Sequence, residues 1–366
     1  MRPVATGLVG VLALLAAGCG PACEAGRVCT IAGVGTLGFN GDGLPADETW
    51  LSSPTSVLTD ADGTVLIVDF SNMRIRELTA EGTIETRVGI GEHAYSEIGA
   101  DRLETPLENP IDAAYGPDGL LYLAPLHEGR VIRVGAHDTI EVVAGTGEIA
   151  DGVHGGATLE TPMGYVAGIA FGPDGSLYAA DQTFSRVRRV GPDGRVECVL
   201  GLGQAGENGV GAGPETALAY PERIVVDAPR SRLLVADAGN HRVLAMDLDS
   251  LQTEVVAGTG VEGFSGDGGA AVDAQLSLPM GLAVQSDGRV YVSDFGNHVV
   301  RAVFPDGTID TVLGDPEAED ARAVAWPLQA RIHGPAGLHL TAEGDLLVAE
   351  RAGHRIARFV GADHAP

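Results

Sequence analysis

The chain contains no lysine: all 23 of its basic residues are arginine, against 50 aspartates and glutamates, for a net charge of −27 at pH 7. A surface this acidic offers no basic patch for a phosphate backbone, which excludes nucleic acid as a partner. It leaves open a cation, a cationic peptide, a divalent metal, or simple solubility. Aromatic residues make up only 5% of the chain, so the core must be built from Val, Leu, Ile and Ala. There are four cysteines, and no two are spaced like a zinc site. Outside the N-terminus there is no apolar run of the roughly 20 residues needed to cross a membrane.

What the chain does contain is glycine, 53 residues of it, and repetition. Gly281 to Leu313 reads GLAVQSDGRVYVSDFGNHVVRAVFPDGTIDTVL. Four β-branched runs alternate here with turns. Ser286-Asp287-Gly288 and Pro305-Asp306-Gly307 are hairpin chemistry, because glycine accepts the positive φ of a tight turn. The stretch predicts a four-stranded antiparallel meander. Asp294 recurs as Asp69, Pro125, Asp181, Asp237 and Glu350, about 56 or 57 residues apart. Five residues on stands Arg74, Arg130, Arg186, Arg242 or Arg355, with Val299 the exception. A proline opens the first strand at 54, 110, 221, 279 and 335, with Val166 the exception.

Six four-stranded units predict an all-β, six-bladed β-propeller. The expected blades span about 51–91, 107–147, 160–203, 218–260, 276–314 and 332–361, within one domain from 28 to 362. The last unit has three strands. Val28 to Asp42, VCTIAGVGTLGFNGD, resembles the outer strand and loop at Val255 to Asp267. Residues 28–35 are therefore expected to complete the last blade and close the ring, which removes two open sheet edges.

Residues 1–18 form a targeting segment with an apolar core from Leu8 to Ala17. Ala16-Ala17-Gly18-Cys19 resembles a bacterial lipoprotein signal, although Ala16 replaces the usual leucine. The resemblance implies that Cys19 is lipidated, that 19–27 is a short tether and that the protein is an exported outer-membrane lipoprotein. An ordinary secretory signal, giving a periplasmic or secreted protein, is the alternative. Cys23 and Cys29 flank a short loop and could bridge in an oxidising envelope; two free thiols are the alternative. Cys198, in VECVL, reads as a buried apolar residue.

The DAGNHRV run at Asp237 to Val243 and the DFGNH run at Asp294 to His298 resemble NHL repeats, with weaker copies at Asp69 and Glu350. The resemblance covers roughly Cys29 to Val360. It implies the propeller fold and a binding platform, with a minority of lyases. Asp69, Arg74, Asp181, Arg186, Asp237, Asn240, Arg242, Asp294, Asn297 and Arg355 are expected to staple their turns. Asn suits the left-handed backbone such a turn requires.

The favoured reading is a non-enzymatic, monomeric envelope module whose acidic loops recognise a protein, peptide or small ligand. Its candidate binding face is Asp42, Asp151, Asp267, His241, His298 and His354. The alternative is a metal-dependent lyase or lactonase with a site in the channel. Its candidate ligands are few: His333, His339, Asn109 and Glu222. No catalytic residue, resident metal or cofactor is expected; Gly-Asp-Gly at 41–43 and 266–268 could offer oxygens to calcium, but no loop has the ligand count of an EF-hand. Gly33–Gly38, Gly201–Gly206 and Gly258–Gly263 read G-x-G-x-x-G, but loops rather than helices follow them, so no dinucleotide site is assigned.

Overall fold

The computed structural model describes residues 23–207, 209–318 and 324–362. The targeting segment, Cys19 and Asp320 lie outside the described residues.

Six antiparallel sheets follow one another around a ring. Their inner strands are Pro54–Thr59, Pro110–Tyr115, Val166–Phe171, Pro221–Asp227, Pro279–Val284 and Pro335–Leu340. We number the blades 1 to 6 by these strands. The hairpins form as their residues dictate. Gly288 and Gly307 take φ of 105° and 86°. The preceding Asp287 and Asp306 accept from the backbone N–H of Arg289 and Thr308, at 2.8 and 3.0 Å.

The second strand of a blade is covered on both faces by its neighbours. This is why Val290–Asp294 is buried at every position and reads as a continuous apolar run. Each join between adjacent blades holds its own apolar cluster. At the join of blades 6 and 1, Leu347, Ala349 and Ile356 meet Val57, Ile67 and Ile84.

The ring closes at this join. Val28–Ala32 pairs antiparallel with Arg355–Phe359, matching Val28 to Phe359 and Thr30 to Ala357. The register slips between Thr30 and Ala32. Outer strands elsewhere slip at the equivalent place, as between Val142 and Ala144. The N-terminal segment is thus the missing outer strand of blade 6, and it ends at Ala32 rather than at 35. Cys23 and Cys29 are joined by a disulfide at its start.

Blades 1, 3 and 5 depart from the expected four strands. Leu44–Pro45, Gly156–Ala157 and Gly269–Ala270 each add a fifth strand at the outer edge. Each comes from the long loop leading into that blade, so these loops cover sheet edges as well as crossing the face.

Candidate functional site

In every blade a buried carboxylate holds the loop that leads into the same blade. Asp69 accepts from Ser52 N–H at 2.7 Å, Asp237 from Ala219 at 2.7 Å and Asp294 from Ser277 at 2.7 Å. Asp181 takes the N–H of Gly164 and Glu350 that of His333. Blade 2 has Pro125 at this position and uses Glu128 instead, which accepts from Ser96 N–H at 2.6 Å. Burial outweighs these bonds and lifts the Asp69 and Asp294 carboxyls to about 6.

The arginine that meets the carboxylate follows two patterns. In blades 4 and 6 it is the expected one: Arg242 Nε lies 2.8 Å from Asp237, and Arg355 Nε 2.8 Å from Glu350. In blades 1, 3 and 5 it stands two residues further on. Arg76, Arg188 and Arg301 lie 3.6, 2.7 and 3.8 Å from Asp69, Asp181 and Asp294. Arg74 instead donates to Ile90 O, and Arg186 pairs with Asp151. A residue and its second neighbour point to the same face of a strand, so either can reach the carboxylate.

The predicted binding-face aspartates belong to this device. Asp42, Asp151 and Asp267 lie 3.0, 3.2 and 2.5 Å from the outer nitrogens of Arg76, Arg188 and Arg301. Each buried guanidinium is clamped between a blade carboxylate and a loop carboxylate. The loop aspartates remain 37–48% exposed, but their charge is engaged.

The histidines also bind the protein itself. His241, His298 and His354, not the asparagines, occupy the left-handed turn position, with φ of 49°, 57° and 52°. Their Nδ1 atoms accept N–H groups from the next blade: Leu278 at 3.2 Å, Gly334 at 3.0 Å and Ser53 at 3.0 Å. The last of these spans the ring closure. Asn240 and Asn297 donate to Asp237 and Asp294, and to the loop carbonyls of Gly206 and Gly263.

Inside the ring, the second residue of each inner strand lines the channel: Thr55, Ile111, Ala167, Glu222, Met280 and Ala336. One layer below, Arg223 of blade 4 crosses to Asp112 of blade 2 and also donates to Thr55 O of blade 1. Asp112 further accepts from Ser56 Oγ and from Ile169 N–H. Burial draws the guanidinium down to about 10, which leaves it charged at neutral pH. The cavity left at the level of these residues is about 20 Å³, room for one water. Inner strands approach closely here; a Cβ on Gly281 would lie 1.8 Å from Ala336 O.

Above this plug the channel opens into a cup of about 220 Å³. Tyr220, Leu278, Met280 and Phe295 form its apolar wall, with Gln182 and Glu222 at the base. Tyr220 and Leu278 precede the opening prolines of their strands and take φ of 48° and 49°. Bulky residues seldom adopt this conformation. They are also 60% and 40% exposed, so an apolar rim faces solvent. Gln182 donates to Glu222 at 2.8 Å. Burial raises the Glu222 carboxyl to about 7, against the opposing pull of Arg351 and Gln182.

Comparison with known proteins fits this architecture. Residues 139–333 match the family model of the teneurin NHL domain. The chain is an NHL-repeat β-propeller. It is 35% identical to mouse Teneurin-3 over 167 residues, which is 42% of this chain and 6% of that protein. It is 28% identical to chicken NHL repeat-containing protein 2 over 289 residues, 70% of this chain and 39% of the other. The NHL propeller therefore spans well under half the length of these relatives. Among solved structures, an auxiliary nutrient binding protein from Bacteroides ovatus superposes with a TM-score of 0.67 at 13% identity, over 91% of this chain and 76% of that one. A gluconolactonase from Xanthomonas campestris superposes with a TM-score of 0.57 at 12% identity, over 84% and 86%. At these identities the structures share the fold.

The channel ligands considered for this NHL propeller do not converge. His333 precedes the inner strand of blade 6, whereas His339 lies near its far end and bonds Thr59 Oγ1 at 2.8 Å. Burial lowers the His339 imidazole to about 4. Glu222 stands at the cup and Asn109 on the rim of blade 2, where it meets His93 at 2.7 Å. Cys198 is a free, half-buried thiol raised by burial.

Proposed function

We propose that this NHL propeller is a binding module whose ligand enters the cup at the channel mouth. The acidic loops then act as braces for the blades, and recognition moves to Tyr220, Leu278, Met280, Phe295, Gln182 and Glu222. The observation that carries this reading is a single polar floor under an apolar wall, the usual plan of a small-molecule site. The cup is smaller than the roughly 300–1,000 Å³ of drug-sized pockets, so the ligand is small or inserts only one group. A carboxyl poised near neutrality favours a group that donates hydrogen bonds, an amine or a hydroxyl, on a partly apolar body.

The test is a thermal-shift and calorimetric screen of small amines, sugars and polyols against the mature chain. Glu222→Gln and Tyr220→Ala should each weaken a hit by at least about tenfold, the cost of one good contact. A hit bound equally by wild type and both variants would sink the cup reading.

A second reading, a metal-dependent enzyme, draws support from the imidazoles gathered on the blade 2 rim. Lactone or ester turnover that is lost on chelation would favour it.

The exported lipoprotein reading rests on the Ala16-Ala17-Gly18-Cys19 run. None of the described helices is long and apolar enough to cross a membrane. Cys19→Ala should release the protein from membranes into the soluble fraction. Continued need for detergent would count against lipidation.

A further inference from the structure

Blade 2 is the blade that lost the motif, and a different constellation stands in its place. His93 comes from the loop leading into the blade, Glu108 from two residues before the inner strand, and His127 from two residues after the second strand. His93 Nε2 lies 2.8 Å from Glu108 Oε1, and His127 Nδ1 lies 3.0 Å from the same oxygen. The three ligand atoms all fall within 4.8 Å of one another. Asn109 Oδ1, held by a left-handed backbone, is 2.7 Å from His93 Nε2.

We propose that His93, Glu108 and His127, with Asn109 as a fourth donor, form a binding site for a borderline divalent transition metal, zinc foremost. Two imidazole nitrogens and a carboxylate are a donor set suited to zinc. Metal–ligand bonds of roughly 2.0–2.2 Å place tetrahedral donor atoms about 3.3–3.6 Å apart; the donors here sit 2.7–3.0 Å from their neighbours, so they must part by several tenths of an ångström to admit the ion.

Two features of the surroundings argue for a cation beyond a hydrogen-bonded cluster. His93 Nε2 faces two acceptors, Glu108 and Asn109, and one N–H satisfies only one of them well. Second, Glu108 is 9% exposed, and among the described residues its ion-pair partners are these two imidazoles and no arginine. The six stapling carboxylates each have a guanidinium; Glu128, in the same blade, has Arg130 at 3.1 Å. His93 and His127 are 57% and 37% exposed, which gives an ion access from solvent. The other blades staple their loops with one buried carboxylate; blade 2 carries Glu128 in that role and, beside it, a second carboxylate and two histidines. The site stands apart from the cup; it is the cluster on which the metal-dependent reading leans, and zinc uptake tests it without any turnover assay.

The test is zinc titration of the chelator-stripped mature chain by calorimetry and elemental analysis at pH 7.5. Wild type should take up one zinc per chain. His93→Ala/His127→Ala should weaken binding at least about 100-fold and Glu108→Gln at least about tenfold, while His137→Ala, a change at an exposed histidine, leaves it unchanged. Cobalt in place of zinc should give a visible ligand-field band that the double variant loses. Since His93 is on the surface, His93→Asn alone serves as a folded variant, confirmed by its melting temperature. No stoichiometric uptake by wild type, or uptake equal in wild type and the double variant, overturns the site.

Discussion

Replacing Glu222 by Gln keeps the shape of the cup floor and removes its only titration. The carboxyl titrates near 7 in the fold, against 4.5 for the ordinary group. A raised carboxyl means that the folded state holds a proton the unfolded state has released. Stability from this source is therefore full below pH 4.5 and is lost as pH rises through 7. Between pH 5 and pH 8 the loss amounts to roughly 2–3 kcal/mol at most, since each pKa unit corresponds to about 1.4 kcal/mol. The open cup reduces this figure, because solvent reaches part of the carboxyl. The assay is urea unfolding of wild type and Glu222→Gln at both pH values. The variant should match wild type within about 1 kcal/mol at pH 5 and exceed it by about 1–3 kcal/mol at pH 8. The comparison isolates this group from Asp69 and Asp294, whose raised carboxyls are present in both proteins. An equal pH slope in the two proteins would refute the assignment of a buried, near-neutral carboxyl.

Deleting residues 1–38 behind a new signal should abolish a single cooperative melting transition, because the outer strand of blade 6 is removed; an unchanged transition in calorimetry would refute closure. Gly281→Ala should destabilise by about 3 kcal/mol or more in denaturant titration, since the new Cβ meets the backbone of blade 6. Asp112→Ala strands the Arg223 guanidinium and should cost about 3–5 kcal/mol, with Asp112→Ala/Arg223→Met recovering much of it. The imidazoles of His298 and His354 are held below the usual value by burial. Their contribution is full above about pH 6.5 and is lost as pH falls through the folded pKa, so His354→Ala should flatten the acid limb of unfolding below about pH 6.5.

The ring was legible because its signals are local and repeated: Asp-Gly hairpins, a carboxylate at five of six positions spaced 56 or 57 residues apart, and an N-terminal stretch that copies an outer strand. The alternation of blades was not. Arg74 and Arg76 are both in the sequence, and only packing decides which one reaches Asp69. The histidines were visible, but their Nδ1 partners lie about 36 residues on, or 301 back in the case of His354 and Ser53. The cup takes its residues from blades 3, 4 and 5, at positions where the repeat leaves side chains unconstrained. No spacing marks them as neighbours. The cluster on blade 2 did leave a trace: Pro125 stands where other blades carry the carboxylate, and His127 follows two residues later.

The Arg223–Asp112 crossing makes the cup a dead end. A molecule must leave by the doorway through which it came, and that doorway is on the face that carries the long loops. A large partner docked over this face would trap a small guest already inside and shut out one still in solution. Order of arrival would then decide the outcome, and the two binding events would be coupled with no change in the shape of the ring.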